Sequence, residues 1–258
     1  MNYMKRNCLF LFACILSICA CEKNSFNITE RLGVDGKALV KIGLFNMTSA
    51  STNLLIFNNG ERISGPVASP YPYPGGGFNT GGNSNGDYFA VKPGANKFEL
   101  FTTNPGTANV IAKFFETSQT LEANKKYTIY TTDTATNATA IIAPDDAVAP
   151  DSGFARIRFI NLIPNSGSVD FYQGNTRLKS AVKYKDFTEF FDIPATTVDT
   201  FSIRLAGAAT GPANTATAFY RLATNTNQRI YSLLCRGYLG IAGTTDLRRP
   251  LVSVSVNQ

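Results

Sequence analysis

The sequence predicts an all-β protein: two tandem immunoglobulin-like or transthyretin-like β-sandwich domains behind a lipoprotein signal peptide. Three observations carry that reading. Apolar and polar residues alternate with a period of two in short runs, as in Arg156-Ile157-Arg158-Phe159-Ile160-Asn161, and Asn, Gly, Pro and Thr clusters separate the runs. No stretch carries a convincing helical period of 3.6 residues. The chain also repeats itself once.

The repeat is read from matched residues. Val40-Lys41-Ile42-Gly43-Leu44-Phe45-Asn46 falls on Ala155-Arg156-Ile157-Arg158-Phe159-Ile160-Asn161 at an offset of 115 (161 − 46). The same offset carries Leu54–Phe57 onto Val169–Tyr172 and Arg62-Ile63 onto Arg177-Leu178. Further along it drops to 101, matching Pro93 to Pro194, Leu121 to Leu222 and Ile129-Tyr130 to Ile230-Tyr231. The first copy therefore carries extra residues, placed in a Gly-, Pro- and Asn-dense loop at 66–86. Two homologous domains, 38–143 and 154–258, are expected, joined by a linker at 144–153 whose prolines and acids suit an exposed connection. Copies of ~100 residues can bury a core without a disulfide.

The N-terminus reads as an address. Lys5 and Arg6 precede an apolar run from Cys8 to Ala20. That run is too short for the ~20 residues that cross a bilayer as a helix, but it fits a secretory signal. Ile18-Cys19-Ala20-Cys21 resembles a bacterial lipobox, which implies that residues 1–20 are removed and that Cys21 takes the lipid. The alternatives are a signal cut near Ala20 without lipid, or an uncleaved anchor. Residues 21–37 then form a tether from lipid to first strand.

Composition excludes whole classes of chemistry. The chain has no histidine, so no imidazole base and no imidazole metal ligand is available. Of five cysteines, Cys8, Cys14 and Cys19 leave with the signal and Cys21 is acylated. The one left, Cys235, reads as a small buried hydrophobe in Ile230–Arg236. No intramolecular disulfide or cysteine metal site follows from one thiol. Residues 22–151 carry 10 basic and 12 acidic residues, and residues 152–258 carry 12 and 6. The basic residues of the second copy are dispersed at alternating strand positions, so they read as solvated strand faces and not as a nucleic-acid site. Further strands are expected at Val169–Tyr172, Leu178–Val182, Phe187–Ile193, Thr200–Leu205, Ala216–Leu222, Ile230–Arg236 and Leu251–Val256.

The second copy resembles a known family. Ala155–Asn161, then Pro164, then Val169-Asp170-Phe171-Tyr172 look like the opening of the domain of unknown function 4397. Val182–Tyr184, Phe190-Phe191 and Ile193-Pro194-Ala195 are similar to its middle segment. The first copy departs: Gly43 stands where the second arginine is expected, and no proline follows Asn46 three residues on. The resemblance implies a β-sandwich and an exported, often lipid-anchored and tandem setting. It implies no activity and transfers no catalytic residue.

The surface feature that stands out is Pro70-Tyr71-Pro72-Tyr73-Pro74-Gly75-Gly76-Gly77-Phe78. Prolines stiffen such a segment, and Tyr71, Tyr73 and Phe78 offer flat faces for a sugar ring or a protein partner. The bland reading is a solvated loop. Gly75–Gly77 and Gly81-Gly82 lack the lysine and helix of a phosphate loop. Asp145 and Asp146 lack calcium-loop spacing and read as solvated; Asp170 reads as outward-facing on its strand. Asp133-Thr134-Ala135 resembles an O-glycosylation triplet. No catalytic residue, metal ligand or cofactor is assigned.

Three functions remain open. The first is a lipoprotein at the outer membrane, on its periplasmic or cell-surface side, presenting two sandwiches to a glycan or protein partner. The second is a fimbria-like structural subunit associating through sheet edges. The third and most remote is a carboxylate-dependent hydrolase.

Overall fold

A computed structural model describes residues 34–44, 52–69, 88–104, 107–133, 137–195, 199–209, 219–222, 227–241 and 248–257. Among the described residues seventeen strands run in order: β1 (Ala38–Leu44), β2 (Thr52–Asn58), β3 (Glu61–Arg62), β4 (Val67–Ser69), β5 (Phe89–Val91), β6 (Gly94–Thr103), β7 (Val110–Leu121), β8 (Lys126–Thr132), β9 (Thr139–Pro144), β10 (Phe154–Asn161), β11 (Ser168–Gln173), β12 (Thr176–Lys183), β13 (Phe191–Pro194), β14 (Asp199–Leu205), β15 (Phe219–Leu222), β16 (Ile230–Arg236) and β17 (Leu251–Val256). The chain is all-β and forms two tandem sandwiches, as its alternation predicts.

In the first sandwich, sheet β5-β1-β8-β9 faces sheet β3-β2-β6-β7, with β4 also on β2. Their inner residues form one core that includes Val40, Ile42, Leu54, Ile56, Phe98, Leu100 and Ile129. In the second, β13-β10-β16-β17 faces β12-β11-β14-β15. Ile157, Phe159, Phe171, Phe201 and Leu233 belong to its core, where Phe171 stacks on Phe159 at 4.3 Å and on Phe201 at 5.6 Å between ring centroids. Both copies put a parallel pair at the sheet centre, β1 with β8 and β10 with β16.

The ladders refine the repeat. Ile42 lies opposite Ile129, and its counterpart Ile157 lies opposite Tyr231. Ile129 is therefore equivalent to Tyr231, an offset of 102 (231 − 129), not the 101 obtained by matching residue types. A one-residue slip reverses every side chain of a strand. The offset of 101 would put core residue Ile129 on Ile230, which alternates with the core residues Tyr231 and Leu233.

Three expectations are corrected. The strand expected over Phe187–Ile193 is broken: Phe187 makes one bridge to Ile160, and β13 starts only at Phe191. The Thr188 hydroxyl accepts the Phe159 N–H at 3.0 Å, and Phe190 turns onto an arginine instead of joining a ladder. The second correction concerns the basic residues. Arg158 does not lie on a solvated face; it is 1% exposed. The third concerns the linker, where Asp145 is buried, not solvated.

The reason for both burials is a seam. Tyr130, Ala143 and Ile141 from the first sandwich pack with Ile160, Leu162, Leu234 and Phe187 from the second. The outward faces of the two central sheets thus cover each other, and the chain between them is drawn into the contact.

Candidate functional site

Cys21, Tyr71, Tyr73 and Phe78 lie outside the described residues, as do Thr134 and Ala135 of the glycosylation triplet. Asp133 is described, and its carboxylate accepts the Tyr238 hydroxyl at 2.6 Å. The strands that flank the Pro-Tyr segment in sequence are described. β4 runs antiparallel to β2, so Ser69 lies beside Thr52, where β2 begins. β5 runs antiparallel to β1, with Phe89 opposite Val40 and Val91 opposite Ala38. Ser69 and Phe89 therefore both lie toward the end of the sandwich where β1 finishes. Lys37, at the end of the tether segment, sits at the other end. Seven residues of β1 separate the two ends by about 23 Å.

A polar cleft of about 320 Å³ lies at the Lys37 end. Lys37, Asn58, Asn59, Glu61 and Lys92 supply its polar lining, and Ile63, Ala90 and Val91 its apolar lining. Asn59 and Gly60 form the two-residue turn between β2 and β3 with φ of 49° and 83°, the left-handed pair that twists with the strands. Asn96 is buried beneath this turn. Its amide donates to the Lys92 and Gly94 carbonyls at 2.9 and 3.0 Å, and its oxygen accepts the amides of Asn58 and Asn59 at 3.0 and 3.5 Å. Lys37 is pinned by the Asn124 N–H, which donates to its carbonyl at 2.7 Å. The wall is fixed, and among the described residues no ion pair engages its charged tips.

The seam carries a buried ionic network. Arg158 donates to the Ser232 hydroxyl at 2.8 Å, the Pro144 carbonyl at 2.6 Å, the Tyr130 hydroxyl at 3.1 Å and the Asp145 carboxylate. Asp145 also accepts the Tyr88 hydroxyl at 2.6 Å and the Thr128 hydroxyl. The Phe190 ring lies 4.7 Å from the guanidinium, and Phe187 and Tyr130 flank it. Burial works against the charged guanidinium, but Tyr130 and Asp145 outweigh it and hold its pKa above the usual value. Lys41 lies on the same outward face and donates to the Val256 carbonyl at 2.8 Å. Burial pushes its pKa down to about 8, against the pull of Asp145 and helped by the charge of Arg158. Burial first, then Asp145, raises the Tyr88 hydroxyl. Asp145 is thus committed to Arg158 and two hydroxyls. Among the described residues no cluster of acids or thiols is placed to hold a metal.

Asp170 is likewise buried, against the outward-facing expectation. Its carboxylate accepts the Ala181 N–H at 2.8 Å, the Gly207 N–H at 3.3 Å and Arg177 at 3.3 Å. Ala181, at a φ of 53°, sits where the β11–β12 register shifts. Burial opposes ionisation of Asp170, yet those donors win and hold the carboxyl below its usual range. Asn161 ties down the turn after β10: it accepts the Ile163 N–H at 3.0 Å and donates to the Val182 carbonyl at 3.0 Å. The Cys235 thiol reaches the same Asn161 oxygen at 3.2 Å, and burial raises its pKa. The cleft and seam went unseen in the sequence. The one available signal was Arg158, a second arginine on the face opposite the core, and it read as solvated.

The sequence model of the family described as "Domain of unknown function (DUF4397)" matches residues 41–172 and again residues 157–249. No curated protein matches the chain. Among solved structures, one concerns alpha-glucan recognition by family 41 carbohydrate-binding modules from streptococcal virulence factors. It is 12% identical, spans 84% of this chain and 97% of its own, and has a TM-score of 0.26. A second streptococcal structure, on alpha-glucan binding by a virulence factor, is 10% identical over 78% and 92%, with a TM-score of 0.23. A family 26 carbohydrate-binding module from Eubacterium rectale in complex with maltoheptaose is 8% identical over 85% and 95%, with a TM-score of 0.22. Likeness at this level does not extend to a ligand.

Proposed function

The chain belongs to the DUF4397 family, of unknown function, and from that premise we propose that it is a non-enzymatic binding module of the cell envelope. In this reading Cys21 carries the lipid, residues 21–37 are the tether, and the partner is a glycan or a protein. The observation that supports it most is directional. Lys37, which follows the tether segment in sequence, lies at one end of the sandwich, while Ser69 and Phe89, which flank the Pro-Tyr segment in sequence, lie toward the other. An anchored chain would hold Tyr71, Tyr73 and Phe78 away from the lipid, and loops on a rigid sandwich are common binding elements. Asp145 and Asp170, the two acids buried among the described residues, are tied into structural hydrogen bonds and not poised as a catalytic pair.

The test uses the detergent-solubilised full chain on glycan arrays and in partner pull-downs, beside Tyr71→Ala/Tyr73→Ala. Binding that the double substitution removes supports the reading. Binding indifferent to it moves the site elsewhere, and absence of any binder sinks the reading. Cys21→Ser is expected to abolish detergent-phase partitioning; unchanged partitioning refutes the anchor.

One observation favours a structural subunit as a second reading. β7 is a 12-residue strand at the edge of its sheet, with Val110 and Ile111 exposed. An open apolar edge is a template for pairing with another chain. Concentration-dependent polymerisation, suppressed by Ile111→Lys, distinguishes that reading.

A further inference from the structure

The cleft beside Lys37 has a charge pattern that selects a ligand. Lys37 and Lys92 supply two ammonium groups and Glu61 one carboxylate, and none of the three has an ion-pair partner among the described residues. Solvation alone accounts for any single one of them. What sets them apart is that all three line one cleft whose wall is held by a buried amide. Asn96 takes up one amide hydrogen from each of Asn58 and Asn59, which fixes both side chains at the cleft wall. Ile63, Ala90 and Val91 add a short apolar surface. A volume of about 320 Å³ lies at the small end of ligand sites.

These features exclude the simplest ligands. Among the described residues no aromatic side chain lines the cleft, so they offer no stacking surface of the kind that usually holds a neutral sugar ring. A bare phosphate dianion meets Glu61 as well as the two lysines, and a bare amine meets two like charges. A molecule that carries both signs a few atoms apart satisfies all three groups. We propose that the cleft binds a zwitterionic headgroup that joins a phosphate to a primary ammonium, of which phosphoethanolamine is the simplest. The phosphate lies between Lys37 and Lys92, the ammonium faces Glu61, and the two-carbon spacer lies on the apolar surface. Asn58 and Asn59 supply amides to the remaining oxygens.

The source of such a headgroup is either a free small molecule or a membrane lipid. The lipid source rests on the anchored reading above, which puts Lys37, at the end of the tether, next to the bilayer. The headgroup chemistry itself does not depend on it.

The test titrates the detergent-solubilised full chain with glycerophosphoethanolamine and follows backbone amides by NMR. Amide shifts confined to residues 58–61 and 90–92, saturating with a Kd in the millimolar range or below, support the proposal. Exposed ion pairs are individually weak, so Lys37→Gln and Lys92→Gln should each weaken binding about 3-fold and the double variant about tenfold. Glu61→Gln should leave inorganic phosphate binding unchanged or tighter while removing the preference for phosphoethanolamine over phosphate. Each is a surface change, and an otherwise unchanged amide spectrum confirms the fold. No shifts at about 50 mM ligand, or shifts that ignore the lysine substitutions, overturn the proposal.

The two sources separate with the Cys21→Ser chain, which lacks the acyl anchor. Sedimentation with phosphatidylethanolamine vesicles, absent with phosphatidylcholine vesicles and competed by the soluble headgroup, supports a lipid source. Titration by the soluble headgroup without vesicle binding supports the cleft and overturns the lipid source. A failure of the anchor shows separately, as unchanged detergent partitioning of Cys21→Ser.

Discussion

Replacing Arg158 by Met tests whether the seam joins the two sandwiches into one stable unit. The change keeps an unbranched apolar side chain among Phe187, Phe190 and Tyr130 but removes every donor of the guanidinium. Asp145, whose side chain is fully buried, keeps only the Tyr88 and Thr128 hydroxyls, and the Pro144 carbonyl loses its donor from the arginine. Removing one partner of a buried ion pair costs about 3–5 kcal/mol, a large part of the ~5–15 kcal/mol by which a domain is stable. Asp145→Leu should cost a similar amount, because it leaves the guanidinium without its counter-charge. The double variant should be less destabilised than the sum of the singles, since neither charge is then stranded, and the coupling should reach about 3 kcal/mol. Arg156→Met is the control two residues away. Its pair with Asp192, at 2.7 and 2.8 Å, is solvent-exposed, so about 0–1 kcal/mol is expected. The assay is urea unfolding by far-UV circular dichroism and by tyrosine fluorescence, the chain having no tryptophan. Coincident transitions in the native chain and separated ones in Arg158→Met are expected. An Arg158→Met cost no greater than that of Arg156→Met, or strict additivity with Asp145→Leu, would refute the reasoning.

Two further outcomes follow from buried charges. Lys41 has a folded pKa of about 8 against an ordinary 10.5, so between those values the unfolded chain binds the extra proton. Stability should therefore rise with pH from about 8, by up to about 3 kcal/mol at completion, until the raised hydroxyls of Tyr88 and Tyr130 oppose it above about pH 10. Lys41→Met should flatten that rise in urea melts at pH 7, 8, 9 and 10; an unchanged slope counts against Lys41 as its source. Asp170 is held below its ordinary 3.8, so its contribution is present above that pH and fades as pH falls through the folded value. Asp170→Asn should cost about 1–3 kcal/mol at pH 7, by setting an amide donor against backbone N–H groups, and should weaken acid sensitivity below pH 4. A loss at pH 7 within experimental error would show that the bulge does not need the carboxylate.

The sandwiches were legible in the sequence because alternation is a local signal. Ile230–Arg236 and Leu251–Val256 were expected as strands and occur with those bounds. The seam was illegible for the converse reason. A residue on the outward face of a strand looks the same whether water or another sheet covers it, so Arg158 and Arg156 read alike while one is 1% exposed and the other forms a surface pair. Asp145 was hidden by its neighbours, because a Pro- and Asp-rich connection suggests solvent unless the sheet it crosses is known. The cleft joins residues 37, 58, 59, 61, 63 and 90–92, which no spacing rule connects. The register error at β8 and β16 has the same origin, since matching Ile129-Tyr130 to Ile230-Tyr231 rewards residue type over face.

The departure of the first copy from the family pattern then acquires a physical reason. In Arg156-Ile157-Arg158-Phe159-Ile160-Asn161 the residues divide by task. Ile157 and Phe159 fill the core, Arg156 pairs at the surface, Arg158 and Ile160 enter the seam, and Asn161 ties the following turn. The first copy needs a core residue there equally and keeps one at Ile42, while the sequence carries a leucine, Leu44, where the second copy has Phe159. Its outward face is another matter, because both copies turn that face to the same seam. There Lys41 and Arg158 already supply two cations to one buried carboxylate, Asp145, and the charge of Arg158 already lowers the Lys41 pKa. An arginine at position 43, buried on that face, would add a third cation, and among the described residues of the seam Asp145 is the one buried acid. Gly43 avoids that cost and leaves its carbonyl to accept the Thr131 hydroxyl at 2.9 Å. With Asp145 already paired to Arg158, a glycine in place of the second arginine of the first copy accords with a seam that buries the outward faces of both sandwiches.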